Sequence, residues 1–300
     1  MSVFTVKISE DFSLKGNDYL IDVPKAHLLI ITGMNEHSRR YEAFSKELNA
    51  VGYSVSVLDH FGQGENAPNV DDQEKWPVGA WKMLLQALNI KVNELRKDGL
   101  PVYLMGHSMG SFAMQAYLET YPDSVDKVII MSSNGKNNKL AIDMGYHLAR
   151  MTANKKNWDE EDKLMSKMSL GPYIKSVKNR EDDNDWLSFN KENVKRYNDD
   201  PYCGHYNTHG FFVGFMTGLH ELYKKKNLKK ISKKEKILIV AGMEDPVGAF
   251  AKGPKSLKQM YRKLGVEDVS LILYPDMRHE ILNEVERHKV IKDIIDFLDK

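Results

Sequence analysis

One pentapeptide, Gly106-His107-Ser108-Met109-Gly110, constrains this chain more than any other feature. It follows an apolar run that predicts a buried strand, Val102–Met105, and it precedes a helix-like run that starts at Ser111. A sharp turn from strand to helix strains the central serine, and flanking glycines avoid collisions with neighbouring elements. The Ser108 hydroxyl would then stand above a sheet, at a helix N-terminus that favours an incoming negative charge. We interpret Ser108 as a candidate nucleophile; the alternative is an ordinary turn with an inert serine.

Composition narrows the partners and the compartment. The 300 residues are 42% hydrophobic, which suffices for one large α/β domain or a core domain with an inserted subdomain. The formal net charge of +1 gives no reason to expect nucleic acid as a partner. Cys203 is the single cysteine, which excludes an internal disulfide. Because we find neither a secretory leader nor an apolar run of the ~18–20 residues of a membrane span, we expect a cytoplasmic protein.

Metal and cofactor signals are weak. His205 and His209 stand at helical spacing but have no third ligand nearby in the sequence. There is no glycine-rich phosphate loop either. We expect neither a metal nor a cofactor, and the oligomeric state is left open.

Apolar runs alternate with amphipathic stretches along most of the chain. This rhythm predicts a mostly parallel central sheet with helices on both faces, and an antiparallel start at one edge. The loop Gly16-Asn17-Asp18 is typical of a hairpin turn between the first two strands. The predicted strands are Phe4–Ser9, Tyr19–Val23, Leu28–Ile31, Ser54–Leu58, Val102–Met105, Lys127–Met131, Lys236–Val240 and Val269–Leu273, and the predicted helices are Arg40–Val51, Val78–Leu95, Lys252–Leu264 and Val290–Leu298.

A different kind of sequence interrupts this rhythm between residues 134 and 234. It is rich in Lys, Asn, Asp and Met and contains no clear strand. We predict an inserted helical cap at 134–234, above the carboxyl ends of the strands, where such sheets place their sites. Residues 1–133 and 235–300 would form the core domain.

A serine nucleophile needs a base, and the base needs a partner that fixes its tautomer. In a strand–elbow–helix architecture the chain order is serine, then acid, then histidine. Asp245 follows the strand Lys236–Val240, and His279 lies in the loop after the strand Val269–Leu273. We predict that Ser108, Asp245 and His279 form a catalytic triad.

Other acids and histidines were weighed for these roles. Glu244 lies on the other side of the turn from Asp245, and Asp276 is better placed to shape the loop before the base. His37, His60 and His107 also lie near the predicted active face, where structural or pocket-lining roles suit them better than that of the base.

Acyl transfer also needs N–H donors for the developing oxyanion. One is the backbone amide of Met109, directly after the nucleophile. The second should come from the loop after the strand Leu28–Ile31, where Gly33 allows close approach of the backbone. We assign the second donor to the amide of Met34.

Several motifs together resemble the α/β-hydrolase superfamily, in its monoacylglycerol lipase and lysophospholipase-like branch of the serine aminopeptidase S33 type. The motifs are Gly33–Tyr41, Gly106–Gly110, Gly242–Gly248, Tyr274–Glu284 and, in the predicted cap, Asp185–Ser188 and Asp200–Gly204. The resemblance implies an α/β-hydrolase fold with the same triad and oxyanion amides, acting on esters of one acyl chain. Thr32, Phe61 and Gln63 depart from the family pattern, which has His, Arg and His there.

The predicted cap carries an aromatic and Met-rich run. Phe211, Phe215 and Met216 would line an acyl-chain pocket, or would pack the cap helices together. We add His107 to the predicted substrate contacts. The lysine-rich stretch from Lys224 to Lys236 is more typical of a solvated linker from cap to core, and an anionic lipid surface is the alternative, so transient membrane contact through the cap is left open.

The sequence therefore predicts a serine hydrolase that cleaves esters of single acyl chains, such as monoacylglycerols or lysophospholipids. The same triad would also serve a short-chain carboxylesterase or an amide or peptide hydrolase. A non-catalytic binding protein with a hydrolase fold is the alternative from another class.

Overall fold

A single eight-stranded sheet organises the computed structural model of the chain, which describes residues 1–135 and 139–300. The spatial order of the strands is β1-β2-β4-β3-β5-β6-β7-β8. β2 pairs antiparallel with β1 and with β4, and all other pairs are parallel. The strands are β1 Ser2–Lys7, β2 Ser13–Tyr19, β3 Ala26–Ile31, β4 Tyr53–Leu58, β5 Val102–His107, β6 Lys127–Met131, β7 Lys236–Gly242 and β8 Asp268–Tyr274.

Helices cover both faces of this sheet. The helices are α1 Glu42–Ala50, α2 Ala80–Leu95, α3 Met109–Thr120, α4 Lys139–Thr152, α5 Lys163–Ser176, α6 Lys191–Asp199, α7 His209–Glu221, α8 Lys225–Leu228, α9 Lys252–Lys263 and α10 Arg287–Asp299, with a 3₁₀ turn at Ser38–Tyr41 before α1.

The core has two layers, one on each face of the sheet. α2, α3 and α9 pack on one face, and α1 and α10 pack on the other. Central strands such as β3 and β5 are buried along their whole length, which is why they are continuous apolar runs rather than alternating ones. The predicted α/β fold, with a mostly parallel sheet between helical layers, is confirmed.

The predicted first hairpin turn is wrong. The turn lies between Lys7 and Ser13, where the N–H of Ile8 donates to the carbonyl of Phe12. Gly16 instead lies inside β2. Its lack of a side chain matters there, because a Cβ would stand 2.0 Å from the carbonyl oxygen of Val57 on β4. The glycine allows β2 to approach β4 closely. The predicted strand Tyr19–Val23 is also wrong. Because the turn comes earlier in the chain, β2 begins at Ser13 and ends at Tyr19.

Helices α4 to α8 lie between β6 and β7, in a region we call the insertion (residues 132–235). Helix α7 packs on α2, α3 and α4, and so joins the insertion to the core. Its glycines recur every fourth residue and face tryptophan rings. A Cβ on any of them would lie 2.8 Å or less from a ring atom, in the pairs Gly210 with Trp158, Gly214 with Trp76 and Gly218 with Trp81.

The insertion remains a predicted cap, because its position in the chain does not by itself establish what it covers. Across residues 1–135 and 139–300, no helix combines the length and apolarity needed to cross a membrane.

Candidate active site

Ser108 occupies a strained turn between β5 and α3. Its backbone has φ 50° and ψ −118°, a conformation that L-residues rarely adopt, and it caps the N-terminus of α3. The turn needs glycine on both sides. A Cβ on Gly106 would lie 2.5 Å from the carbonyl oxygen of Gly110, and one on Gly110 would lie 2.4 Å from that of Ile31. Ser108 stays partly exposed, whereas its neighbours His107 and Met109 are buried.

His279 and Asp245 form a buried pair at the carboxyl ends of the last two strands. Nδ1–H of His279 donates to both carboxylate oxygens of Asp245, at 3.1 and 3.0 Å. Asp245 also accepts the N–H of Val247 at 2.8 Å, which fixes the carboxylate. With Nδ1 occupied, Nε2 of His279 is left as the nitrogen that can accept a proton. The rival Glu244 is exposed.

Gly242 makes this pairing sterically feasible. It ends β7, and a Cβ there would lie 2.2 Å from the carbonyl oxygen of Met277 and 2.3 Å from that of Arg278. Without a side chain, the loop before His279 passes directly over the end of β7. The imidazole therefore reaches Asp245.

The link between His279 and Ser108 is not closed. Within the described residues, no hydrogen bond joins Oγ of Ser108 to the His279 ring; Ser108 bonds through its backbone, where its N–H donates to the carbonyl of Met131 at 3.1 Å. Such bonds often tighten only when substrate binds. The His279 ring lies between two others, with centroids 4.9 Å from His107 and 5.1 Å from Trp186 of the insertion.

The loop after β3 approaches the serine closely. A Cβ on Gly33 would stand 3.3 Å from Cβ of Ser108. The amide of Met109 is the first of α3, a position that has no partner inside a helix. The amide of Met34 donates no hydrogen bond to another backbone or side-chain group of the described chain. Both groups are thus free to donate to a ligand near Ser108.

Glu36 is a buried carboxylate that sequence reasoning missed. Its Oε1 accepts from Nδ1–H of His107 at 2.7 Å, from the Tyr41 hydroxyl at 2.9 Å and from the N–H of Gly33. Burial alone would raise the pKa of Glu36, but the charge and hydrogen bond of His107, together with Arg40, lower it to about 2. The same carboxylate raises the pKa of His107, against the effect of burial. Each buried group therefore favours the charged form of the other.

A second buried ion pair ties the loop that carries His279 to the 3₁₀ turn before α1. The guanidinium of Arg40 donates to Glu280, the neighbour of His279, at 2.7 Å. Asn193 of the insertion donates to the same oxygen at 2.6 Å. The N–H of Glu280 in turn donates to the carbonyl of Leu187 at 2.7 Å. The loop that carries His279 is thereby held by both the core and the insertion.

The three departures from the family pattern have local partners. Nε2–H of His60 donates to the carbonyl of Thr32 at 2.8 Å, and burial lowers the pKa of His60 to about 4, so this ring is neutral. The amide of Gln63 donates to both oxygens of the buried carboxyl of Glu74, at 3.0 and 3.2 Å. Phe61 belongs to the core layer beneath α2. None of these hydrogen bonds involves His279 or Asp245.

The predicted substrate contacts lie mostly in packed positions. His107 is 4% exposed and engaged by Glu36, and Phe211 has no exposed surface. Phe211 packs on Trp76 with ring centroids 4.8 Å apart, while Phe215 packs on Trp81 and Met216 is half-buried against α4. Their role as substrate contacts stays a prediction.

Comparison with known proteins places the chain in a family. The model of the serine aminopeptidase, S33, family matches residues 22–286. The human monoglyceride lipase is 29% identical over 180 residues, 59% of this chain and 52% of that enzyme, so the matched segment spans about half of its length. The monoacylglycerol lipase of Mycolicibacterium smegmatis is 22% identical over 92% of this chain and 88% of that enzyme.

Solved structures agree on the fold. A thermostable carboxyl esterase from Bacillus coagulans superposes with a TM-score of 0.88 at 23% identity, over 100% of this chain and 98% of that one. The monoglyceride lipase of Saccharomyces cerevisiae gives 0.73 at 18% identity, over 99% of this chain and 96% of that one. The chain belongs to the serine aminopeptidase S33 family, in the branch of the α/β-hydrolase superfamily that resembles monoglyceride lipases.

Proposed function

We propose that this protein is a serine hydrolase that cleaves carboxylic esters of single acyl chains, such as monoacylglycerols or lysophospholipids. The observation that carries the proposal is the buried pair of His279 and Asp245 at adjacent strand ends, next to the strained turn of Ser108. Relatives named as monoglyceride and monoacylglycerol lipases support the substrate class.

The chemistry would proceed through an acyl-enzyme. His279 accepts the proton of the Ser108 hydroxyl as Oγ attacks the ester carbonyl carbon, and Asp245 holds the imidazole in the required tautomer. The oxyanion accepts hydrogen bonds from the amides of Met34 and Met109. His279 then gives its proton to the leaving alcohol. A water molecule, deprotonated by His279, releases the carboxylic acid and restores Ser108.

A fluorophosphonate probe tests this mechanism directly. Wild-type protein should be labelled and should hydrolyse a monoacylglycerol, whereas Ser108→Ala should do neither. Equal labelling of the two proteins would refute the role of Ser108. Turnover of no ester at all, with tight binding of a small ligand, would support the non-catalytic alternative.

A short-chain carboxylesterase is the second candidate, and the packing of the aromatic run favours it. Because Phe211 is fully buried and Phe215 nearly so, these rings join the insertion to the core and leave little surface for a long acyl chain. Hydrolysis rates for acyl chains from two to eighteen carbons separate the two. An optimum at long monoacyl chains supports the lipase, and activity confined to acetyl and butyryl esters supports the esterase. Cleavage of aminoacyl amides would indicate the peptidase.

We further propose that the insertion contacts a lipid surface that presents the ester. Large apolar side chains are exposed on α4 and α5, and basic side chains are exposed on the same two helices, which suits an anionic interface. The apolar ones are Met144, Met151, Leu164 and Met168, and the basic ones are Arg150, Lys163 and Lys167. Replacing Met151 and Met168 with Ser should reduce hydrolysis of a vesicle-embedded ester and leave that of a soluble ester unchanged. The cytoplasmic location stays a prediction.

A further inference from the structure

The loop that carries the proposed oxyanion donor Met34 is strained at its next residue. Asn35 has φ 59°, in the left-handed region that costs most L-residues free energy. Asparagine tolerates this conformation better than other non-glycine residues, but it still needs neighbours that hold it there. Asn35 directly follows Met34, so the position of the loop segment that carries the Met34 amide depends on how Asn35 is held.

The insertion holds Asn35 through two hydrogen bonds. Its carbonyl accepts the N–H of Gly204 at 3.3 Å, and its side-chain amide donates to the carbonyl of His205 at 2.9 Å. Asn35 is 3% exposed, so these bonds are shielded from water. Two consecutive residues of the insertion thereby fix the one strained residue of the loop.

The residues on either side of Asn35 contact the same segment. The side-chain amide of Asn207 donates to Sδ of Met34 at 3.4 Å. Nε2–H of His37 donates to the carboxylate of Asp200 at 2.8 Å. Glu36 alone turns the other way, towards the core, where it bonds His107. The loop is therefore held on one face by the core and on the other by residues 200–207.

The surroundings of Asp200 favour its ionised carboxylate, which accepts this hydrogen bond. Burial would raise the pKa of its carboxyl, but His37, and the N–H of Tyr202 at 2.9 Å, outweigh burial and lower it. Arg40 lies close enough to act on the same carboxylate. An ionised carboxylate makes the stronger, shorter type of hydrogen bond.

A metal site is the competing interpretation of the same residues. Donor atoms of His37, Asp200 and Cys203 lie within 4.8 Å of one another. However, the guanidinium of Arg40 lies 3.9 Å from Sγ of Cys203, and burial raises the pKa of that thiol, so the group stays protonated beside a fixed positive charge. A cation there would be repelled by Arg40.

We infer that residues 200–207 of the insertion clasp the oxyanion loop (residues 33–37), and that Asp200 and Asn207 are positioning residues for the oxyanion hole. The inference rests on the proposed ester hydrolysis, and it adds that the hole is complete only while the insertion is docked on the loop. Loss of the clasp misplaces the Met34 amide. Transition-state stabilisation falls, while ground-state binding of a small ester does not depend on that donor.

The test compares Asp200→Ala, the conservative Asp200→Asn and Asn207→Ala with Asp199→Asn. Asp199 is the matched control, because its carboxylate lies one residue from Asp200, is exposed and pairs with Lys195 on α6. Three quantities are measured: kcat and KM for p-nitrophenyl butyrate, the inhibition constant of a trifluoromethyl ketone, and amide hydrogen exchange of residues 33–37. The ketone is informative because its adduct with Ser108 carries an oxyanion that the oxyanion hole must stabilise.

We expect kcat to fall roughly 10- to 100-fold in Asp200→Ala and Asn207→Ala, with KM within about 2-fold of wild type. The ketone should bind more weakly by the same factor as kcat falls. Asp200→Asn should lie between Asp200→Ala and wild type, because an amide oxygen still accepts from His37. A purely structural role would lower the melting temperature without this matched loss.

Exchange of the amides of residues 33–37 should be several-fold faster in the three variants and unchanged in Asp199→Asn. This readout is independent of ester hydrolysis. If Ser108→Ala were as active as wild type, the proposed function would fail while the clasp would still be judged by exchange. The inference would be overturned if folded Asp200→Asn and Asn207→Ala both kept the wild-type kcat, ketone affinity and exchange rates. If Asp200→Ala does not fold, the Asp200→Asn and Asn207→Ala variants decide the question.

Discussion

The carboxylate of Glu36 lies 2.7 Å from Nδ1 of His107, and both side chains are about 5% exposed. This pair joins the loop that carries Met34 to the residue directly before Ser108. Two segments that must face each other across the proposed site are thus held by one buried charge interaction.

Replacing Glu36 with Gln should destabilise the protein substantially. The change removes the carboxylate that favours the charged form of His107, and removing one partner of a buried pair costs up to about 3–5 kcal/mol. Urea unfolding at pH 7 measures the loss. The control is Glu42→Gln on α1, an exposed carboxylate paired with Lys46, which should change the free energy of unfolding by less than ~0.5 kcal/mol. A variant of Glu36 as stable as this control would contradict the ion pair.

The same pair predicts that the free energy of unfolding decreases at acidic pH. The pKa of Glu36 is lowered from 4.5 to about 2 in the folded protein. Its stabilisation is therefore complete above the unfolded pKa of 4.5 and is lost as the pH falls from there towards 2. Glu36→Gln should lack this contribution, so the stability difference between wild type and variant should shrink as the pH falls through this range.

Asp245→Asn should lower kcat by roughly 10³–10⁴-fold with little effect on folding, because the amide cannot hold His279 in the required tautomer. Steady-state hydrolysis of a soluble ester measures the change. Glu244→Gln is the matched control one residue away, with an exposed side chain, and it should retain wild-type activity. Equal losses in the two variants would remove Asp245 from its assigned role.

Gly242→Ala should impair activity by displacing the loop that carries His279. The new methyl group would meet the carbonyl oxygens of Met277 and Arg278, which cannot move independently of the loop. A displacement of about 1 Å at a reacting group costs roughly 10²-fold in rate. Met243→Ala, at the exposed next residue, serves as the control. Full activity of the Gly242 variant would show that the loop has another route.

Glu74 should make the protein less stable as the pH rises. Burial raises the pKa of its carboxyl to about 8, and the hydrogen bonds from Gln63 lower it only in part. The folded state therefore holds a proton that the unfolded state releases above 4.5, and the stabilisation present below that pH is lost as the pH rises towards 8. The slope for one proton reaches ~1.4 kcal/mol per pH unit.

Other buried carboxyls, such as those of Asp59 and Glu119, contribute in the same direction, because burial raises the pKa of each to about 7. The Glu74→Gln variant isolates the contribution of Glu74 from theirs. The stability of the variant relative to wild type should increase between pH 5 and 8 in urea unfolding. A constant difference over that range would rule out titration of Glu74.

Sequence reasoning predicted what is encoded locally. The turn at Ser108 is enforced by glycines two residues away on either side, and the positions of Asp245 and His279 follow from strand ends that short apolar runs reveal. The turn predicted at Gly16 was wrong because glycine is common both in turns and where two strands approach closely. Only the position of Val57 on the neighbouring strand distinguishes the two cases. The partners of Glu36 are equally non-local, because His107 comes from another strand end and nothing in the loop sequence marks the pairing.

The glycines of α7 offer a further test of how the insertion is seated. In Gly218→Ala the methyl group would meet the rigid ring of Trp81, 2.2 Å from its nearest atoms, and overpacking of this kind costs ~1–3 kcal/mol. In Gly145→Ala, on α4, the methyl group would meet only the movable tip of Met216. Thermal unfolding should therefore distinguish the two variants, and equal midpoints would contradict the close seating of α7.

All four tryptophans of the chain lie against this region. Trp76, Trp81 and Trp158 contact the glycines of α7, and Trp186 lies beside His279. The molecule therefore carries its own optical reporters at the junction. Intrinsic emission, followed in a stopped-flow instrument without any attached dye, would therefore show directly whether the helical region moves when substrate enters and product leaves.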